Sequence, residues 1–249
     1  MMMAMERSFH LAITCLLLLA FAGRAWAQTP LQAGLESKQS EWVLGVPVEF
    51  TVSVRNASSA TVQTNVELEP DAEEISLFIS EDGSIFHSFR GPEWEVGETI
   101  DWAKSKSPIK PGAKEQASFS LLWNGPKDAT GQTPTEGFAF PHAGTYFVKV
   151  KVSSDFGDLM SNVVRLAIRQ PQGDDAAIWE TLKADKELTR YYGFPNGAPG
   201  QGQKLQRLLN KYPNSSHAAS MKKVLAVFAR QEAEIEEARK ASNASQQQH

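Results

Sequence analysis

Two hydrophobic rhythms divide this chain. From about Leu35 to Arg169, apolar residues recur at every second position and turn signals interrupt them about every eight to fifteen residues. After Gln170 the apolar spacing changes to three and four. The first rhythm predicts an antiparallel β-sandwich, and the second predicts a helical extension. The clearest strand runs from Val46 to Arg55. Val46, Val48, Phe50, Val52 and Val54 form its buried face, and Glu49, Thr51, Ser53 and Arg55 face water. A one-residue slip would exchange the two faces, so the register is strongly specified. The run from Pro141 to Val152 repeats the pattern, with Tyr146, Val148, Val150 and Val152 on one face and Lys149 and Lys151 on the other. Further strands are predicted over Leu35 to Trp42, Ala60 to Leu68, Ile75 to Ser80, Ser84 to Phe89, Glu115 to Trp123 and Asn162 to Arg169. Glu81, Asp82 and Gly83 predict a tight hairpin turn, the Asp-Gly pair supplying positive φ.

Proline-marked loops occupy Gly91 to Gly112 and Gly125 to Phe140. Both exceed the usual connection in a compact domain, which marks them as the candidate functional surfaces. Past the Asp-rich start near Asp174, the residues Ile178, Trp179, Leu182, Leu188, Tyr191 and Tyr192 lie at helical spacing. Leu205, Leu208, Leu209 and Tyr212 mark another helix, which Pro213 stops. Ser215 or Ser216 is placed to cap a last helix carrying Ala218, Met221, Leu225, Phe228 and Ile235 along its inner side. Its end, residues 241–249, is rich in Ser, Asn and Gln and is predicted to be a disordered tail.

The first 27 residues have the layout of a secretory signal: Arg7, an apolar core from about Leu11 to Ala22, and Ala25-Trp26-Ala27 as a small-x-small cleavage site. Cleavage after Ala27 predicts a secreted or periplasmic protein. That apolar run is too short for a comfortable bilayer span, and no later segment is longer, so no membrane span is expected. Cys15, the single cysteine, falls within the leader. The remaining chain therefore has no disulfide, thiol nucleophile or thiolate metal site. The predicted organisation is a signal peptide over 1–27, a sandwich over 28–170, a helical extension over 174–240 and the tail over 241–249.

Charge excludes one partner class. The chain holds 25 basic and 29 acidic residues, net −4, and the leader removes Arg7 and Arg24 against Glu6, leaving the rest more acidic still. Nucleic-acid binding depends on a concentrated basic face, which this balance opposes.

Two segments resemble known patterns. Gly45 to Val52, and Pro141-x-x-Gly144-x-Tyr146-x-Val148-x-Val150, resemble the second and sixth strands of bacterial immunoglobulin-like domains. The resemblance covers about 135 residues. It implies an immunoglobulin-like sandwich of the disulfide-free branch, with Val148 where antibody domains carry a cysteine. It also implies that Gly144 and Tyr146 act as a tyrosine corner, the hydroxyl tying a loop to the sheet. Leu208 to Ala219 resembles the helix-to-helix corner of tetratricopeptide-like repeats in bacterial envelope proteins. Only one such hairpin is visible, which implies a cap or docking element rather than a solenoid. The combination resembles an uncharacterised class of exported bacterial proteins.

Candidate chemistry is sparse. His87, His142, His217 and His249 are scattered, with no His-Glu-x-x-His spacing, so no metal or cofactor is expected. No Gly-x-Ser-x-Gly elbow occurs, and no enzymatic activity is expected. Glu67, Glu69, Asp71, Glu73 and Glu74, and then Glu81 and Asp82, read better as solvated acidic turns than as a calcium loop. Aromatic residues carry the strongest binding signal. Trp94 and Trp102 share the first long loop with Glu95 and Asp101, while Phe138 and Phe140 close the second. Flat rings beside carboxylates can anchor a protein partner or stack on sugars, although large aromatics commonly plug sandwich ends. The expectation is a non-catalytic binding or scaffolding protein recognising a protein partner. The alternatives are a carbohydrate-binding module that uses the tryptophans and a hydrolase that uses Glu95 or Asp101. Asn56, Asn214 and Asn243 fit the glycosylation acceptor pattern.

Overall fold

The computed structural model describes residues 29–64, 68, 75–89, 107–124, 137–193 and 200–246. The chain divides into Met1–Pro30 and Leu31–His249, and only residues 29 and 30 of the first unit are described. The described residues of the second unit form two principal sheets, two short two-stranded sheets and four helices.

One sheet has the order β1 (Leu31–Ser37), β3 (Val48–Asn56), β8 (Lys114–Leu121), all antiparallel. The other has the order β2 (Glu41–Val43), β13 (Val164–Arg169), β11 (Gly144–Val152), β5 (Ile75–Ser80), β6 (His87–Phe89), with β12 (Leu159–Met160) beside β11. Val48, Phe50, Val52 and Val54 of β3 are buried in one cluster with Tyr146, Val148, Val150 and Val152 of β11. The two alternating faces read from the sequence therefore meet as the core of a β-sandwich. Asn162 ties the sheets at one end, accepting from Leu35 N at 3.0 Å and donating to Leu35 O at 2.9 Å.

Several expectations change. The predicted strand over Leu35 to Trp42 is two strands on different sheets. The chain crosses over at Lys38 to Ser40, where Ser37 Oγ and Trp42 Nε1 both donate to Gln39 O. After the crossing, β2 pairs parallel with β13, so the sandwich is not wholly antiparallel. The long segments hold short strands: β7 (Ser107–Ile109) pairs with β4 (Val62–Thr64), and β10 (Gly137–Phe138) pairs with β9 (Trp123–Asn124). The turn after β5 is no two-residue hairpin, because pairing resumes only at Ile79 opposite His87. Gly83 alone takes positive φ there, at +77°, while the Asp82 side chain organises the loop.

Helices α1 (Asp174–Ala184) and α2 (Lys186–Gly193) divide what reads as one periodic run. Asp185 is the breakpoint: its N–H closes α1 on Thr181 O, and its Oδ1 accepts from Leu188 N to open α2. Helix α3 (Gln201–Lys211) and the long α4 (Ala218–Gln246) follow, joined through Pro213. Ile178, Leu182, Leu188, Tyr191, Tyr192, Leu205 and Met221 form a second core, as the spacing predicts. Neither serine caps α4 by side chain as predicted. Ser216 instead turns to Asp175, donating from N and Oγ at 2.8 Å each, and the buried Ser215 Oγ has no partner. Helix α4 also continues through residues 241–246, where a tail is expected. Asn56 is buried, its amide nitrogen donating to Ala60 O and Ile109 O, which removes it from the glycosylation acceptors.

The two cores interlock. Trp179 of α1 belongs to the sandwich core, and Leu122, between β8 and β9, belongs to the helical core. Among the described residues, no helix is long and apolar enough to cross a membrane.

Candidate functional site

The turn after β5, strand β6, strand β10 and the loop before β11 enclose a cavity of about 610 Å³. Each wall has a local cause. The β5–β6 turn is held by the Asp82 carboxylate. Its Oδ1 accepts from Ser80 Oγ, Ser84 N and Ile85 N, and its Oδ2 accepts from Ser84 Oγ, all within 2.7–2.9 Å. The Ile85 N–H bond leads these donors in holding the Asp82 carboxyl far below the usual carboxylate range. Ile85, fixed by that turn, is 64% exposed at the cavity rim.

On the neighbouring strand β11, Tyr146 donates its hydroxyl to His142 O at 2.9 Å, pinning the Pro141–Tyr146 turn to the sheet. Burial pushes the Tyr146 phenol up to about 12, although the His142 N–H, which donates to the phenol oxygen at 3.4 Å, opposes the shift. The Tyr146 hydroxyl thus ties the loop before β11 to its own strand. His142 Nε2 lies 3.6 Å from Glu81 Oε2, linking the loop before β11 to the β5–β6 turn. Apolar Ile79, Phe89, Phe138 and Pro141 line the cavity, with Glu81, Asp82 and His87 giving it a polar, mostly acidic rim.

Of the residues singled out in the sequence, Trp94, Glu95, Asp101 and Trp102 lie outside the described residues. Phe138 is half-buried, lines the cavity, and packs between Trp123 at 5.2 Å and Trp179 at 4.4 Å. Phe140 is 6% exposed and meets the Tyr146 ring edge-on at 5.1 Å, so it serves the core rather than a ligand. The structure brings the ends of both long segments to this one cavity: β6 stops at Phe89 where the first begins, and β10 starts at Gly137 where the second finishes. Sequence reading missed the organising role of Asp82, for which the Ser80-x-Asp82-x-Ser84 spacing was the available signal. It also missed a buried joint around His217. Among the described residues no group of three His, Cys, Asp or Glu side chains could hold a metal ion. The site can bind through apolar contact and charge.

A second, smaller cleft of about 330 Å³ lies between the sandwich and the start of α4, lined by Trp42, Val46, Glu49, Arg169 and Ser220. Its charges neutralise one another: Glu49 accepts from Lys38 at 2.9 Å and Lys223 at 2.5 Å, and Arg169 pairs with Glu41.

No family model matches this chain, and no curated protein matches it. Several solved structures share part of its shape at low similarity. A CARDB domain of the PF1109 protein from Pyrococcus furiosus, solved with di-metal ions, is 11% identical with a TM-score of 0.28, covering 57% of this chain and 94% of that domain. Spo0M, the sporulation control protein of Bacillus subtilis, is 14% identical with a TM-score of 0.31, covering 62% of this chain and 55% of its own. The alkylpurine DNA glycosylase AlkC of Pseudomonas fluorescens is 13% identical with a TM-score of 0.30, covering 61% of this chain and 33% of that one. At these scores none assigns a fold or a function, and the architecture rests on the strand pairing.

Proposed function

We propose that this chain is an exported, non-catalytic binding protein that holds a protein partner at the mouth of the 610 Å³ cavity. The observation that carries the reading is that cavity, with apolar walls, an acidic rim, and both long segments departing from its edge. An apolar partner side chain desolvated in the cavity supplies affinity, and a neighbouring basic group complements Glu81 and Asp82. The strand order, the parallel β2–β13 pair and the Tyr146 corner support reading the sandwich as immunoglobulin-like. The α3–Pro213–α4 corner supports a tetratricopeptide-like hairpin. The leader pattern over residues 1–27 supports export to the periplasm or beyond.

The test isolates binding proteins from an envelope extract and then measures each against variants. Ile85→Asp, at a largely exposed position, should weaken true binding at least tenfold while leaving circular dichroism unchanged. Trp94→Ala and Trp102→Ala should also weaken it. A partner whose affinity ignores all three overturns the reading. Calorimetric heat with a cell-wall polysaccharide, lost in the two tryptophan variants, would replace it with carbohydrate binding. Hydrolytic turnover abolished by changing Glu95 or Asp101 would replace it with an enzyme. N-terminal sequencing of the mature protein should begin at Gln28.

A further inference from the structure

His217 is fully buried where the helices meet the sandwich. Its Nδ1 lies 3.3 Å from the Tyr192 hydroxyl of α2, and its Nε2 has no hydrogen-bond partner. Its ring also packs close to Gly45 in the β2–β3 turn, which Trp179 of α1 covers. The His217 carbonyl accepts from Met221 N, placing the residue at the positive end of the longest helix. Three features therefore oppose a charge on this ring: loss of water, a buried nitrogen without an acceptor, and the helix end.

We infer that His217 is an acid-sensitive latch, its neutral ring holding α1, α2 and the start of α4 against the sandwich and its protonation releasing them.

The charged groups around it are accounted for. From α1, the Asp175 carboxylate favours the protonated ring, but both of its oxygens are engaged by Ser216. From β3, Glu49 is neutralised by Lys38 and by Lys223 of α4. From α2 comes the Tyr192 phenol, which burial pushes far above its usual range, so it stays neutral. The β2–β3 turn presents the backbone of Gly45. Burial outweighs the Asp175 attraction and pushes the imidazole down to about 4 from 6.5. The folded value is the depressed one, so the open form binds the proton more readily. Closure is fully favoured above about pH 6.5 and weakens as pH falls towards 4. His87 and His142 are exposed and share no such burial. On the export proposed above, the chain meets the pH of its surroundings, and the latch lets acidity uncouple the helices from the sandwich.

Hydrogen exchange on the full chain, corrected for intrinsic rates, tests this between pH 7 and 4.5. Amides of α1, α2 and the first turns of α4 should open about tenfold more per pH unit below 6.5, while β3 and β11 keep their protection. His217→Gln, which cannot charge, should abolish that slope. A flat profile in the parent protein, an unchanged slope in His217→Gln, or simultaneous loss in β3 and β11 would each overturn the latch. If His217→Gln does not fold, an NMR titration of His217 in the parent protein decides. Titration near 6.5 with α4 still protected refutes the latch, and protonation accompanied by loss of α4 protection supports it.

Discussion

Gly45→Ala is the sharpest probe of how the helices and the sandwich are joined. Gly45 sits in the β2–β3 turn at φ +87°, and a methyl group there would lie 2.6 Å from a ring carbon of Trp179. Two costs follow. The left-handed backbone costs an L-residue about 1–2 kcal/mol. The contact cannot be relieved by a small rotation, because Trp179 is held by Phe138 at 4.4 Å in the shared core, and such overpacking costs about 1–3 kcal/mol. The expected loss is about 2–5 kcal/mol. Gly112 supplies the control, with φ +73° and nothing within 4 Å of an added methyl, so Gly112→Ala should lose only the backbone portion. Urea unfolding followed by far-ultraviolet circular dichroism gives both values, and their difference isolates the packing contact. In a Trp179→Ala background that difference should vanish. If Gly45→Ala is no more damaging than Gly112→Ala, the β2–β3 turn and α1 do not pack as described, and the single joint fails.

Three further expectations follow from individual bonds. Tyr146→Phe removes the hydroxyl that holds His142 O and should cost about 1–2 kcal/mol in urea midpoint analysis with an unchanged m-value. Burial raises the Glu49 carboxyl, but the bonds from Lys223 and Lys38 outweigh it and leave the net value below 4.5. Because that folded value is the depressed one, the Glu49 contribution is present above pH 4.5 and is lost as pH falls through the folded value. Glu49→Gln should therefore lose about 1 kcal/mol at pH 7, a gap that closes as pH falls from 4.5 through the depressed folded value in parallel unfolding curves. Asp82→Ala should accelerate hydrogen exchange at the Gly83, Ser84 and Ile85 amides and spare β5, because these amides lean on the Ser80–Asp82 side-chain pair.

Legibility in the sequence followed the range of each interaction. Val48 to Val54 and Tyr146 to Val152 were readable because a strand's two faces alternate residue by residue, whatever the strand packs against. The Ile178, Leu182 and Tyr191 stripe was readable for the same reason at a different period. The Asp185 break was less visible, since one residue closes a helix and opens the next. The crossing at Lys38 to Ser40 was hidden because both flanking segments have strand character, and nothing local says that they belong to different sheets. At the cavity, Tyr146 and Phe138 line the wall, whereas Phe140, which the sequence offers equally as a binding aromatic or a plug of the sandwich end, is buried in the core. An aromatic near a loop reads alike in either role until its neighbours are known.

Local periodicity and turn chemistry determined the β-rich body, the helical end and most of the buried side chains. These depend on backbone repeat and solvent preference within a few residues. Tertiary structure alone decided where distant segments meet: Glu49 with Lys223 across 174 residues, Gly45 under Trp179, His217 against Tyr192, and the ends of two long segments around one cavity. Such meetings arise from how the sheets and helices pack together, and no spacing within either partner segment encodes them.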